Sequence, residues 1–218
     1  MRPLPYKYAA GAVIDGQYQV VQRSGAIAAT PSALDVWARI RWQPANSNHK
    51  LVLTRLRVGM TCITAVTTAV QVVLQASIVR SFTVDFTTAI TNISMVGDTN
   101  KMHKNMGQSL MGTAGPGICT TAPCTGQTYT IDAAPFAIAT LQFVQAVSAT
   151  GTAVLVPAGA ATPMMDLFYW EALGGHPPTL ASNEGIIVQT TLAGHATGTM
   201  ALHTEWSWAE AVNPFGND

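Results

Sequence analysis

Residues 199–210 alternate with a period of two. Met200, Leu202, Thr204, Trp206 and Trp208 fall on one side, and Ala201, His203, Glu205, Ser207 and Ala209 on the other. A helix repeats its faces every 3.6 residues, so this pattern specifies a strand with one strongly apolar face. A face carrying two tryptophans has to be covered by a second layer of structure. The strand therefore implies a packed sheet.

The same period recurs along the chain. Residues 13–21 alternate around Ile14, Tyr18 and Val20. In residues 33–42, Leu34, Val36, Ala38, Ile40 and Trp42 share a face, with Arg39 and Arg41 opposite, which predicts a half-buried strand. Leu51, Leu53, Arg55 and Arg57 share one parity, and Val52, Leu56 and Val58 the other. Residues 67–84 form the longest β-like run, with Val70, Val72, Leu74, Ala76, Ile78 and Arg80 on one face. Residues 128–131 and 137–147 offer further strands, although Ala137, Leu141 and Val144 also have helical spacing. The turn-forming residues 44–48 predict a hairpin joining Trp42 to Leu51. The Gly/Pro/Thr-rich stretch 112–126 reads as a long loop, a class often functional or interfacial.

Short strands punctuated by Gly and Pro, with no βαβ rhythm, predict an all-β chain: an antiparallel β-sandwich, jelly-roll-like, with an extended N-terminal arm. Residues 1–30 are expected to form the arm and first strand, and 31–218 the sandwich. A length of 218 residues suffices to bury a core without staples.

Charge is scarce. Eleven Lys+Arg balance eleven Asp+Glu, and charged residues make up 10% of the chain, against roughly 25% in ordinary soluble domains. Without a basic surplus, a nucleic-acid partner is excluded. The hydrophobic content of 48% excludes disorder. Zero net charge favours association, so a homo-oligomer, most simply a trimer, is expected. The start, with Pro3 and Pro5, is no signal peptide. The uncharged stretch 58–78 is long enough to span a bilayer, but its threonines and glutamines argue for a chain with no membrane partner.

No arrangement of residues carries credible chemistry. Ser182 near Glu184 and His176 is better read as a turn ending at Gly185. His203 and Glu205, with His195 nearby, fall short of the three or four ligands of a structural metal site. Asp166 and Glu171 resemble a glycosidase pair only by residue type. Residues 112–117 lack the Gly-Lys-Ser/Thr of a phosphate-binding loop. No catalytic residue, metal site or cofactor is expected. Cys119 and Cys124 could bridge a loop if oxidised, but a reducing cytosol favours two free thiols. Of the five tryptophans, Trp170, beside Phe168 and Tyr169, is the candidate for stacking on a sugar.

Several segments in order carry a family resemblance. They are Trp37-Ala38-Arg39-Ile40-Arg41-Trp42, Leu53-Thr54-Arg55-Leu56-Arg57-Val58, Ile78-Val79-Arg80-Ser81-Phe82-Thr83 and Asn100-Lys101-Met102-His103-Lys104-Asn105-Met106. Near the end come Asp166-Leu167-Phe168, His176-Pro177, Leu180, Asn183-Glu184-Gly185, Ala196-Thr197-Gly198-Thr199 and Glu205-Trp206-Ser207-Trp208-Ala209-Glu210. This order resembles virion structural proteins of tailed bacteriophages, and departs from them around residues 112–125. The resemblance implies a non-enzymatic virion component, assembled in the host cytoplasm.

A compact, neutral sandwich that associates fits a capsid decoration or cement protein on the major capsid protein. The alternatives are a tail, neck or head-fibre attachment protein, or a carbohydrate-binding virion module. The expected contacts are Pro3, Leu4, Pro5, Tyr6 and Tyr8 of the arm, and Pro116, Ile118 and Pro123 of the 112–125 loop. These segments look poor in regular structure and able to order against a partner.

Overall fold

The computed structural model describes residues 13–28, 31–44, 48–67, 71–97, 101–102, 107–143, 146–147, 154–170, 177–191 and 197–212. Two antiparallel sheets form a sandwich. In the first, strands β1 (Val13–Arg23), β14 (Thr199–Val212), β3 (His49–Thr64) and β11 (Met165–Tyr169) lie side by side in that order, and β12 (Thr179–Leu180) also pairs with β3. The second runs β5 (Ile90–Asn92), β6 (Gly117–Cys119), β2 (Val36–Arg41), β13 (Gly185–Thr190), β4 (Gln71–Val84) and β7 (Thr128–Ile131). There β8 (Ala137–Gln142) follows β7 along the same edge of β4. A small pair, β9 (Ala146–Val147) with β10 (Val154–Leu155), stands apart.

The order β1-β14-β3-β11 in one sheet and β2-β13-β4-β7/β8 in the other is that of a jelly roll. Strands from the two ends of the chain interleave, with short extra strands β5 and β6 on one edge. β1, grouped with the arm on sequence grounds, is an integral strand of the sandwich: it pairs with β14 along its length and buries Tyr18 and Val20.

The final strand follows its alternation. Met200, Leu202, Thr204, Trp206 and Trp208 are all essentially inaccessible to solvent. They pack against the second sheet in one continuous core that includes Ile40, Trp42, Leu74, Ile186 and Val188. All five tryptophans are buried.

Three sequence expectations need correction. The hairpin between Trp42 and Leu51 does not form: β2 pairs with β13 and β6 in one sheet, and β3 pairs with β14, β11 and β12 in the other. β2 is buried on both faces, because Arg39 is covered by other segments and is itself fully buried. β3 does not keep one parity. Ser207 pairs with Arg55 but Trp208 pairs with Leu53, so Thr54 is an extra residue. This β-bulge lets Leu51 and Leu53 face the core before it, and Leu56 and Val58 after it. The uncharged stretch 58–78 contributes residues 58–64 to β3 and 71–78 to β4. Among the described residues no helix is long and apolar enough to cross a membrane.

The 112–126 region is not a free loop. Gly117–Cys119 forms β6 between β2 and β5. Cys119 and Cys124 are joined in a disulfide, with Cα atoms 5.4 Å apart, rather than being the expected free thiols. Two buried charges latch the segment down. The Glu210 carboxylate accepts hydrogen bonds from Ser109 Oγ at 2.5 Å, the Leu110 amide at 2.8 Å and Trp208 Nε1 at 3.1 Å. The Arg39 guanidinium donates to the carbonyls of Gly115 and Ala114 at 2.6 and 3.3 Å, and to Asp85 and Asn92. A charge out of water is tolerated only when it is so surrounded, which accounts for the order in a stretch whose composition reads as irregular.

Candidate functional site

The outer face of the first sheet carries Arg23, Arg55, Arg57, Asp166 and Glu205. Register places residues in rows across β11, β3, β14 and β1. One row is Tyr169, Arg55, Ser207 and Gln19; the next is Asp166, Arg57, Glu205 and Val21. Arg55 and Arg57 reach this face because of the Thr54 bulge. A second bulge, at Leu167, sets Asp166 opposite Arg57 while Tyr169 stays opposite Arg55.

The charges pair along and across the rows. Arg55 donates to both Asp166 oxygens, at 2.5 and 3.0 Å. Arg57 Nη1 lies 3.2 Å from Glu205, and its Nε 3.8 Å from Asp166. Fork-to-fork geometry makes the Arg55–Asp166 pair directional. Its hydrogen bonds hold the Asp166 carboxyl below the ordinary carboxylate range, and the same contact raises Arg55. The Arg55 guanidinium also lies over the Tyr169 ring, 5.1 Å from its centroid, a cation–π contact. In the next row, His203 shares a hydrogen bond with Thr61 Oγ1 at 2.9 Å and pairs across the sheet with Arg23. Partial burial, and secondarily Arg23, hold its pKa below the ordinary value.

Above these rows lies a groove of about 300 Å³. Gln17 and Gln19 line it from β1, Arg55 from β3, Tyr169 from β11 and Ser207 from β14, with Met102 rising at one side. Tyr169 is half-buried, and Met102 is 44% exposed.

No family model and no curated protein matches the chain. Among solved structures the chain is similar to Merkel cell polyomavirus VP1 in complex with disialyllactose. The two are 11% identical, the match covers 94% of this chain and 96% of that chain, and the TM-score is 0.31.

The structure places the residues singled out by sequence as follows. His203 and Glu205 do share a face, but they are engaged with Thr61 and Arg57. No group of three or more His, Cys, Asp or Glu gathers among the described residues. Ser182 lies in a closed turn in which the Ala181 amide donates to Glu184, and Asn183, at φ 70°, bonds to the backbone of Trp42 and Phe82. Gly185 is required at the end of that turn, since a Cβ there would collide with the Ile40 carbonyl oxygen. His176, His195 and Glu171 lie outside the described residues.

The sugar-stacking candidate Trp170 lines the surface groove but is buried, at 4% exposure, as is Phe168, at 6%; Tyr169 between them also lines the groove and is the more exposed ring. Of the expected interface residues, Pro3, Leu4, Pro5, Tyr6 and Tyr8 lie outside the described residues. Pro116 and Ile118 are buried, Ile118 as part of β6 and beside a groove that Val21 and Thr91 also line; Pro123 is half-buried. Alternation alone missed Arg55, Gln19 and Ser207. Register across four strands brings them together, and the bulge that turns Arg55 outward has no signature in the pattern of β3 itself.

Proposed function

We propose that the chain is a non-enzymatic structural subunit of a virion, and specifically a decoration or cement protein bound to the outside of a phage head. The observation that carries this reading is the strand order, β1-β14-β3-β11 against β2-β13-β4-β7/β8, a jelly roll of the kind viral capsid subunits use repeatedly. Fold alone does not fix function, and two further features support the same conclusion. A surface with few charges and no net charge favours packing against other subunits over life as a free monomer. The acids and bases best placed for chemistry are committed to one another in ion pairs or held in a turn.

In this proposal the subunit associates with copies of itself, as a trimer, and with the major capsid protein, without nucleic acid or membrane. It assembles in the host cytoplasm and ends in the virion. Assemblies of this type commonly bury roughly 2,000 Å² or more. Quantitative mass spectrometry of purified particles tests it. Copies comparable in number to the capsomers are the expected result. A handful of copies per particle, or density only at the tail or neck in a particle map, assigns the chain to tail or neck attachment instead.

A further inference from the structure

We propose that the groove on the outer face of the β1-β14-β3-β11 sheet binds a saccharide. This goes beyond the structural role, and neither depends on the other. The groove's volume of about 300 Å³ lies at the small end of ordinary ligand sites, enough for one or two sugar rings.

Its chemistry selects the ligand class. Gln17, Gln19 and Ser207 each carry groups that both donate and accept hydrogen bonds, the complement of a polyhydroxylated molecule. Tyr169 offers a half-buried ring, packed on one face by the Arg55 guanidinium, and Met102 an exposed apolar side chain. Such surfaces meet the C–H face of a sugar. The ionic groups beneath are neutralised within the sheet: Arg55 by Asp166, Arg57 by Asp166 and Glu205. A phosphate or nucleic-acid ligand would need an uncompensated cationic groove. An extended peptide would need a free strand edge; β14 and β3 are paired on both sides, and the outer edge of β1 beside the groove is taken by Lys101, which bridges to Tyr18, and by the Met102 amide, which donates to the Gln17 carbonyl.

The test uses the full chain on an array of neutral and acidic oligosaccharides, followed by titration of the strongest binder into isotope-labelled protein. Backbone amides at Gln17, Gln19 and Ser207 are expected to shift together. Tyr169→Ala is expected to weaken binding at least about tenfold, the scale of a lost aromatic contact. Gln19→Ala, at the sheet's edge and outside the core, should weaken it without touching the fold. Ile138→Ala, exposed on the opposite sheet, should leave it unchanged. The proposal is overturned if no array member binds, if the shifts map away from this face, or if both groove variants bind as tightly as the parent. Copy number in the particle is unaffected by any of these outcomes, so the structural role stands or falls separately.

Discussion

Trp206 is the residue on which the core depends most visibly. Its side chain is fully buried in the centre of β14, and Trp206→Ala is expected to cost about 3–5 kcal/mol, read from the urea midpoint. Its indole N–H has no hydrogen-bond partner among the described residues. Trp206→Phe therefore removes no polar contact and should cost much less. The first effect follows from alternation that is plain in the sequence; the second rests on the unpartnered indole, which only the structure shows.

His203 makes a different prediction. Its pKa is depressed in the folded chain from the ordinary 6.5 by burial and by Arg23, so as pH falls the unfolded chain takes up the proton first. The stability contributed by neutral His203 is complete above about pH 6.5 and is lost as pH falls below it. Denaturation midpoints should decline over that window, and His203→Gln should flatten the decline. Asp166 acts in the same direction further down. Its stabilising pair with Arg55 is present above the ordinary carboxylate range and is lost as pH falls through the lowered folded value.

At the scale of elements, most strands were legible because a sheet with one buried face writes its period into the chain. What stayed hidden were events that change period or partner. The Thr54 bulge inverts the parity of β3, and nothing in Leu53-Thr54-Arg55 marks it, because a bulge is defined by register against the strand opposite. Deleting Thr54 should force Arg55 and Arg57 toward the core or shift the whole register, and we expect no folded protein by circular dichroism; an intact fold would show that the bulge is dispensable. The separation of β2 from β3 was equally hidden, because a turn sequence specifies a reversal and not the sheet in which the next strand lands. The 109–124 segment looked irregular because its anchors, Glu210 and Arg39, are remote in sequence. Its disulfide closes a short loop, and chain-entropy arithmetic gives it a stabilisation of about 2 kcal/mol. Replacing Cys119 and Cys124 by serine should lower the unfolding free energy by that order, with strand content by circular dichroism unchanged.

The whole molecule presents two sheet faces of different character. Both carry paired charges, Arg55 with Asp166 on one and Arg80 with Asp132 on the other, but Tyr169 and the groove lie on the first, while Ile138 and Val84 stand exposed on strands of the second, at 59% and 42%. Light scattering of the purified protein at micromolar concentration should find an oligomer, a trimer in our proposal. A monodisperse monomer would restrict association to the particle surface. The interleaved strand order also bears on how the chain is made. β14 lies between β1 and β3, and β13 between β2 and β4, so the centre of each sheet is supplied by the last quarter of the chain. A ribosome adding roughly 5–20 residues each second must carry the earlier strands for many seconds before their partners exist. A polypeptide released before residue 185 can close neither sheet, so premature termination should leave no partly folded subunit able to compete for a place among finished ones.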